Sequence, residues 1–246
     1  MSAGRYEGFA WKLPRKQHNS GEPEEIPRHP FRLGVLISGS GSNLQALIDA
    51  IENKVLPEVE IALVVSNNAN AYGVQRALKH KVPVIFLPWV RPGGAPSIPS
   101  QKGEMSESEV KLTALLQLFK VDLIVLAGWM RILSSTFLEQ FPWQVINLHP
   151  ALLPDDGTGH TYTTQDGTQI PVFRGLHAVK QALDAGVKVT GSTVHYVTPE
   201  VDAGPVICRE EVVIEPGDTE ESLHTRLKAV EHRLIVEAVR MCKSKL

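Results

Sequence analysis

Apolar residues in this chain gather in short, nearly unbroken runs separated by stretches of helical spacing. Residues 33–38 (LGVLIS), 59–66 (VEIALVVS), 82–88 (VPVIFLP), 121–128 (VDLIVLAG) and 144–150 (QVINLHP) lack the alternation of a half-exposed strand. Such runs predict strands buried on both faces, as in a parallel sheet. Between the first two, Leu44, Leu47, Ile48 and Ile51 fall at i, i+3, i+4 and i+7, one face of a helix. Helical spacing also marks 71–80, 105–119 and 176–185. The strand and helix alternation predicts an α/β fold with a doubly wound, mostly parallel sheet flanked by helices. Residues 187–197 and 204–214 read as a strand pair. A closing helix opens at Asp218 or Thr219, where Thr219-Glu-Glu-Ser222 puts acids in the first turn, favourable for its dipole.

Two interruptions stand out. Residues 89–104 (WVRPGGAPSIPSQKGE) have the Gly, Pro and Ser content of a loop. Residues 155–175 (DDGTGHTYTTQDGTQIPVFRG) suggest a hairpin-like excursion from the sheet, turning at Gln165-Asp166-Gly167. Either a lid or a plain surface loop fits it, the surface loop being the default. The first thirty residues mix charge, Pro and Gly, with no apolar segment long enough for a signal peptide or a membrane span. The expected organisation is an extended or disordered arm over 1–31 and one domain over 32–246, with an insertion at about 155–171.

Length and charge narrow the class. The 246 residues suffice for one full-sized α/β core. With 25 Lys+Arg against 27 Asp+Glu there is no global basic field, so a nucleic-acid partner is not expected, nor is a membrane. Cys208 and Cys242 form no CxxC motif and no disulfide framework, which suits a reducing, cytoplasmic setting with both thiols serving as packing. Oligomeric state is not legible.

Three groups of residues have chemical potential. Ser38-Gly-Ser-Gly-Ser-Asn43 lies between a buried strand and a helix, where glycines allow a close backbone approach and free N–H groups favour an anion such as phosphate. It is neither GxGxxG nor a Walker loop, and a structural turn with a Ser or Asn cap fits equally well. Asn147 and His149 project to the same side of an extended segment, at the carboxyl end where open α/β sheets bind ligands. An amide and an imidazole converging there suit a developing oxyanion and proton transfer; two polar groups satisfying loop carbonyls is the bland alternative. A cationic imidazole needs a carboxylate neighbour, and Asp202 in PEVDAGP is the best placed in sequence, although a turn Asp accounts for it too. No HExxH or Cys/His cluster includes His160, His177 or His195, so no metal is expected, and no GxSxG elbow offers a nucleophile.

The ordered segments GSGSNLQAL, AGWMRIL, INLHPALLP, VTGSTVHYV, VDAGPVI, GDTEESLH and EHRL closely resemble the phosphoribosylglycinamide formyltransferases, over roughly residues 32–240. The resemblance implies a Rossmann-like formyltransferase fold. It also implies transfer of a formyl group from 10-formyltetrahydrofolate, a co-substrate, to the amine of glycinamide ribonucleotide in purine biosynthesis. On that resemblance Asn147, His149 and Asp202 are catalytic, with Asp202 keeping His149 cationic and helping to order a bridging water. Gly41, Ser42, Asn43 and Glu231 hold the ribonucleotide. Met130, Arg131, Ile132 and Leu133, with Thr198, Pro199, Glu200, Val201 and Asp202, line the folate pocket largely through backbone groups.

The chain departs from that family pattern in three places. Ala151 replaces the usual Ser, the 155–171 segment is longer than the usual link, and the Arg upstream of AGWMRIL has no clear counterpart, with Lys102 or Arg91 as substitutes. Methionyl-tRNA formyltransferase and formyltetrahydrofolate hydrolase resemble the same core but usually carry an additional carboxyl-terminal or amino-terminal domain. A non-catalytic nucleotide-binding module would use the glycine loop alone.

Overall fold

The computed structural model describes residues 29–89 and 105–245. Nine strands and six helices are found among them: β1 Phe31–Ile37, α1 Ser42–Glu52, β2 Val59–Ser66, α2 Tyr72–Lys79, β3 Val84–Phe86, α3 Glu107–Leu118, β4 Leu123–Leu126, α4 Ser135–Gln140, β5 Val145–His149, β6 Thr161–Thr163, β7 Gln169–Pro171, α5 Ala178–Asp184, β8 Val189–Tyr196, β9 Val206–Val213 and α6 Glu220–Lys243. Seven strands form one sheet in the order β3-β2-β1-β4-β5-β8-β9. Strands β1 to β5 are parallel, and β8 and β9 extend the sheet antiparallel. The chain winds outward from β1 through β3, then returns to β4 on the other side of β1. The resulting switch point opens a crevice beyond the carboxyl ends of β1 and β4.

Both sheet faces are covered, as the unbroken apolar runs require. Leu44, Leu47 and Ile48 of α1 and Leu234, Ile235 and Val239 of α6 pack on one face with Leu33, Val35 and Ile37. Leu112 and Leu116 of α3 and Phe137 of α4 pack on the other with Leu36 and Ile124. Each such side chain contributes roughly 1.5–3 kcal/mol by leaving water. In β2 the alternation breaks at Ala62, where the register with β1 shifts between Leu33 and Gly34. The extra residue puts Leu63 and Val65 on the α3 face and Ile61 and Val64 on the α1 face.

Expected elements differ from observed ones mainly at their ends, where loop geometry decides the boundary. Strand β3 keeps only three residues. Helix α4 was not anticipated; the Ser134 side chain caps it, and Ser134 N–H donates to the buried Glu109 at 2.6 Å, joining its start to the α3 capping box. The excursion is a hairpin, β6 with β7, closed by a turn with Gly167 at φ 86°. Thr219 opens α6 with a capping box to Ser222. Residues 1–28, the bulk of the expected arm, and 90–104, which include Arg91 and Lys102, lie outside the described residues. Among the described residues no helix is long and apolar enough to cross a membrane.

Candidate active site

Strand β5 ends in the crevice, and its register with β8 builds the site. Asn147 stands opposite His195 and His149 opposite Thr193, so both strands contribute side chains to one side of the sheet. The turn after β8 brings Asp202 to the same point. His149 Nδ1 lies 3.3 Å from Asp202 Oδ2, and His149 Nε2 donates to the Phe173 carbonyl at 2.8 Å. Asn147 Nδ2 is 3.3 Å from His195 Nε2 and 3.4 Å from Asp202 Oδ1. His195 Nδ1 faces the Tyr196 carbonyl at 2.9 Å, which makes it the donor and leaves Nε2 to accept from Asn147. Asp202 thus meets both Asn147 and His149, with His195 as a fourth member.

The electrostatics differ from expectation in one respect. His149, expected to stay cationic, is 3% exposed, and burial pushes its pKa below the ordinary value although the Asp202 carboxylate opposes the shift. The ring therefore rests neutral near pH 7, because desolvation penalises the charged form more than one carboxylate favours it. Burial would raise Asp202 in turn, but its contacts with His195, with His149 whenever that ring is protonated, and with the Gly175 N–H hold it down at about 2. Asp202 also accepts from Gly175 N–H at 2.8 Å and sits at φ 49°, a left-handed conformation that Asp tolerates better than most residues.

The glycine loop lies across the crevice. Gly41 is the N-cap of α1 at φ 68°, with no side-chain cap and no acid in the first turn, so the Ser or Asn cap is absent. A Cβ at Gly41 would lie 2.5 Å from Gly73 Cα, so only glycine lets α2 approach the loop. The first N–H groups of α1 have no intrahelical partner. Asn43 is 8% exposed, its Oδ1 has no partner, and its Nδ2 donates weakly to Glu231 at 3.4 Å. Burial raises the Glu231 pKa. Arg76 donates to the Ser40 carbonyl at 3.0 Å and, after burial and Lys228, pushes the His232 pKa down, so cations ring this corner.

Met130 to Leu133 follow β4, and Met130 N–H donates to Ser38 Oγ at 2.9 Å, tying this segment to the loop after β1. A cleft of about 580 Å³ opens there between Ser38, Asn67, Asn68, Phe86, Met130 and Arg131. Arg131 Nε and Asn67 Oδ1 are buried without hydrogen-bond partners. Met130, Ile132 and Val201 expose apolar surface, whereas the Leu133 side chain is buried among Trp129 and Phe137. Thr198, Pro199, Glu200 and Val201 form the turn entering Asp202, where Thr198 Oγ1 donates to the Glu200 carbonyl at 3.2 Å. Reading the sequence missed His195, Arg76 and the tripeptide 173–175; only for His195 was there a signal, its position opposite Asn147 once β5 and β8 are paired. Among the described residues no group of His, Cys, Asp and Glu could hold a metal.

A buried imidazole, carboxylate and amide beside an uncapped helix start, on a doubly wound sheet, are the features expected of an acyl-group-transferring enzyme. The chain belongs to the formyl transferase family, whose model matches residues 31–239. It is 38% identical over 224 residues to phosphoribosylglycinamide formyltransferase of Dictyostelium discoideum, covering 87% of this chain and 99% of that protein. It is 37% identical to the trifunctional purine biosynthetic protein adenosine-3 of Gallus gallus over 89% of this chain, which spans only 19% of that longer protein. The crystal structure of glycinamide ribonucleotide transformylase 1 from Symbiobacterium toebii superposes with a TM-score of 0.72 at 39% identity, covering 92% of this chain and 94% of the other.

Proposed function

We propose that this protein transfers the formyl group of 10-formyltetrahydrofolate to the primary amine of glycinamide ribonucleotide, a step of purine biosynthesis. The observation that carries this reading is the His149, Asp202 and Asn147 cluster at the end of β5. In the proposed reaction the amine attacks the formyl carbon, forming a C–N bond and a tetrahedral oxyanion. The bond to folate N10 then breaks, and the amine's proton goes to N10.

Each residue has a part that its contacts suit. His149 rests neutral with its proton on Nε2, leaving Nδ1 without hydrogen against the Asp202 carboxylate. An oxyanion taking the place of the Phe173 carbonyl at Nε2 raises the ring's affinity for a second proton, and the proton shed by the amine, held at Nδ1 on its way to N10, completes an ion pair with Asp202. The cation is thus favoured as charge develops, which is the differential stabilisation that catalysis requires. Asn147 holds its partners at 3.3 and 3.4 Å, the weak end of hydrogen bonding, so its amide can turn an N–H towards the oxyanion at little cost. The α1 N-terminus suits the phosphate. The Glu231 carboxylate and Asn43 Oδ1 are acceptors suited to ribose hydroxyls. The cleft at Met130 and Arg131 suits the folate.

The test is a formyl-transfer assay with purified protein, 10-formyltetrahydrofolate or its 5,8-dideaza analogue, and glycinamide ribonucleotide, following deformylated folate by absorbance. Ribonucleotide-dependent product is expected. Release without any acceptor would indicate a hydrolase instead, and no release would refute the transferase reading.

A further inference from the structure

The excursion after β5 is fastened to the sheet edge at its start and at its hairpin. Val206 N–H donates to the Asp155 carbonyl at 3.0 Å. Further out, Tyr162 Oη and Gln165 N–H both donate to Glu211, at 3.0 and 2.8 Å. Tyr162 and Ile170 pack on Leu152, so the hairpin has a small core of its own. Gly157, at φ 74°, lies flat on the main chain after Asp202, where a Cβ would come within 2.2 Å of the Gly204 carbonyl. These contacts make the first part of the excursion a fixed wall along the turn that carries Asp202.

Arg174 joins that wall to the turn. Its Nη2 donates to the Gly157 and Gly159 carbonyls at 2.7 and 2.8 Å, and its Nε donates to the Asp202 carbonyl at 2.9 Å. The flanking residues reach the same cluster, Phe173 through its carbonyl to His149 Nε2 and Gly175 through its N–H to Asp202 Oδ2, both at 2.8 Å. Even for Asp the left-handed conformation carries some strain, which its surroundings here offset. Here the guanidinium holds its carbonyl and Gly175 holds its carboxylate. We propose that Arg174 is a positioning residue, and that the 155–171 excursion serves to brace the Asp202 turn at the height His149 needs rather than to close over the folate. This rests on the catalytic reading of His149 and Asp202. A lysine cannot replace the fork, because a single ammonium cannot span three carbonyls in fixed geometry.

Arg174→Lys and Arg174→Gln test this in the full chain, with steady-state kinetics for both substrates, ribonucleotide binding by calorimetry, and a His149→Ala control. The expected result is a fall in kcat of tenfold or more in both variants, with ribonucleotide affinity and folate KM within twofold of wild type. In Arg174→Lys, which keeps the charge, the His149 limb of the kcat profile should move to lower pH. The loosened Asp202 then supports the imidazolium less, while the positive charge at residue 174 continues to oppose it. Wild-type kcat in both variants would overturn the proposal. So would a loss confined to folate KM, which would make Arg174 a substrate contact, or a loss of ribonucleotide binding together with thermal stability, which would make it general scaffold. If His149→Ala kept full activity, the catalytic reading itself would fall, and with it this inference.

Discussion

Replacing Asp202 by Asn separates charge from shape at the centre of the site. The new side chain has nearly the same volume and keeps an oxygen to accept from Gly175 N–H, which is 2.8 Å away. What disappears is the negative charge, whose pKa lies at about 2 against an ordinary 3.8. That difference corresponds to roughly 2 kcal/mol of folding stability at neutral pH. Because the folded pKa is depressed, the contribution is complete above the unfolded value near 4 and is lost as pH falls through about 2. Wild type should therefore melt several degrees above the variant at pH 7, with the gap closing in strong acid. For catalysis the loss should be larger. The new amide can donate to His149 Nδ1, which fixes the ring in its neutral form and removes the partner of the developing imidazolium. Withdrawing one such preorganised stabiliser lowers kcat on the order of 10²- to 10³-fold. Ribonucleotide affinity should stay within twofold, since the glycine loop and Glu231 are untouched. Single-turnover formyl transfer with calorimetry of ribonucleotide binding measures both. Near wild-type kcat, or a loss that appears only as weaker ribonucleotide binding, would refute the reasoning.

Other variants probe the remaining parts. Glu231→Gln should raise the melting temperature at neutral pH, because burial lifts the carboxyl above its ordinary 4.5 and its ionised form opposes folding there; the same change should weaken ribonucleotide binding tenfold or more by calorimetry. Gly41→Ala combines a left-handed φ of 68° with a Cβ 2.5 Å from Gly73 Cα, so it should cost roughly 2 kcal/mol or more by denaturant melting and abolish tight ribonucleotide binding. His195→Phe removes the acceptor that fixes the Asn147 amide, and kcat should fall about tenfold with substrate KM values unchanged; an unchanged kcat would show that Asn147 is oriented without it.

The sequence by itself determined the class of fold, because runs such as VEIALVVS can only be satisfied by a sheet covered on both faces, and both faces are covered. It also placed Asn147 and His149 at a strand's carboxyl end, since period-two geometry and flanking prolines are local properties. The glycine loop was legible as a turn, but its N-cap was not. The choice of uncapped Gly41 over a Ser or Asn cap depends on the close approach of Gly73, a residue from another helix. Tertiary structure decided the rest. Asp202 is 53 residues beyond His149 in sequence, and only the antiparallel pairing of β8 with β5 brings them to 3.3 Å and puts His195 beside Asn147. The charge state of His149 was likewise hidden, because it follows from burial on all sides rather than from any neighbour in the chain. Arg174 and its three carbonyls could not be foreseen at all, since backbone acceptors carry no sequence signature and the guanidinium meets them only after the hairpin has folded back onto the sheet.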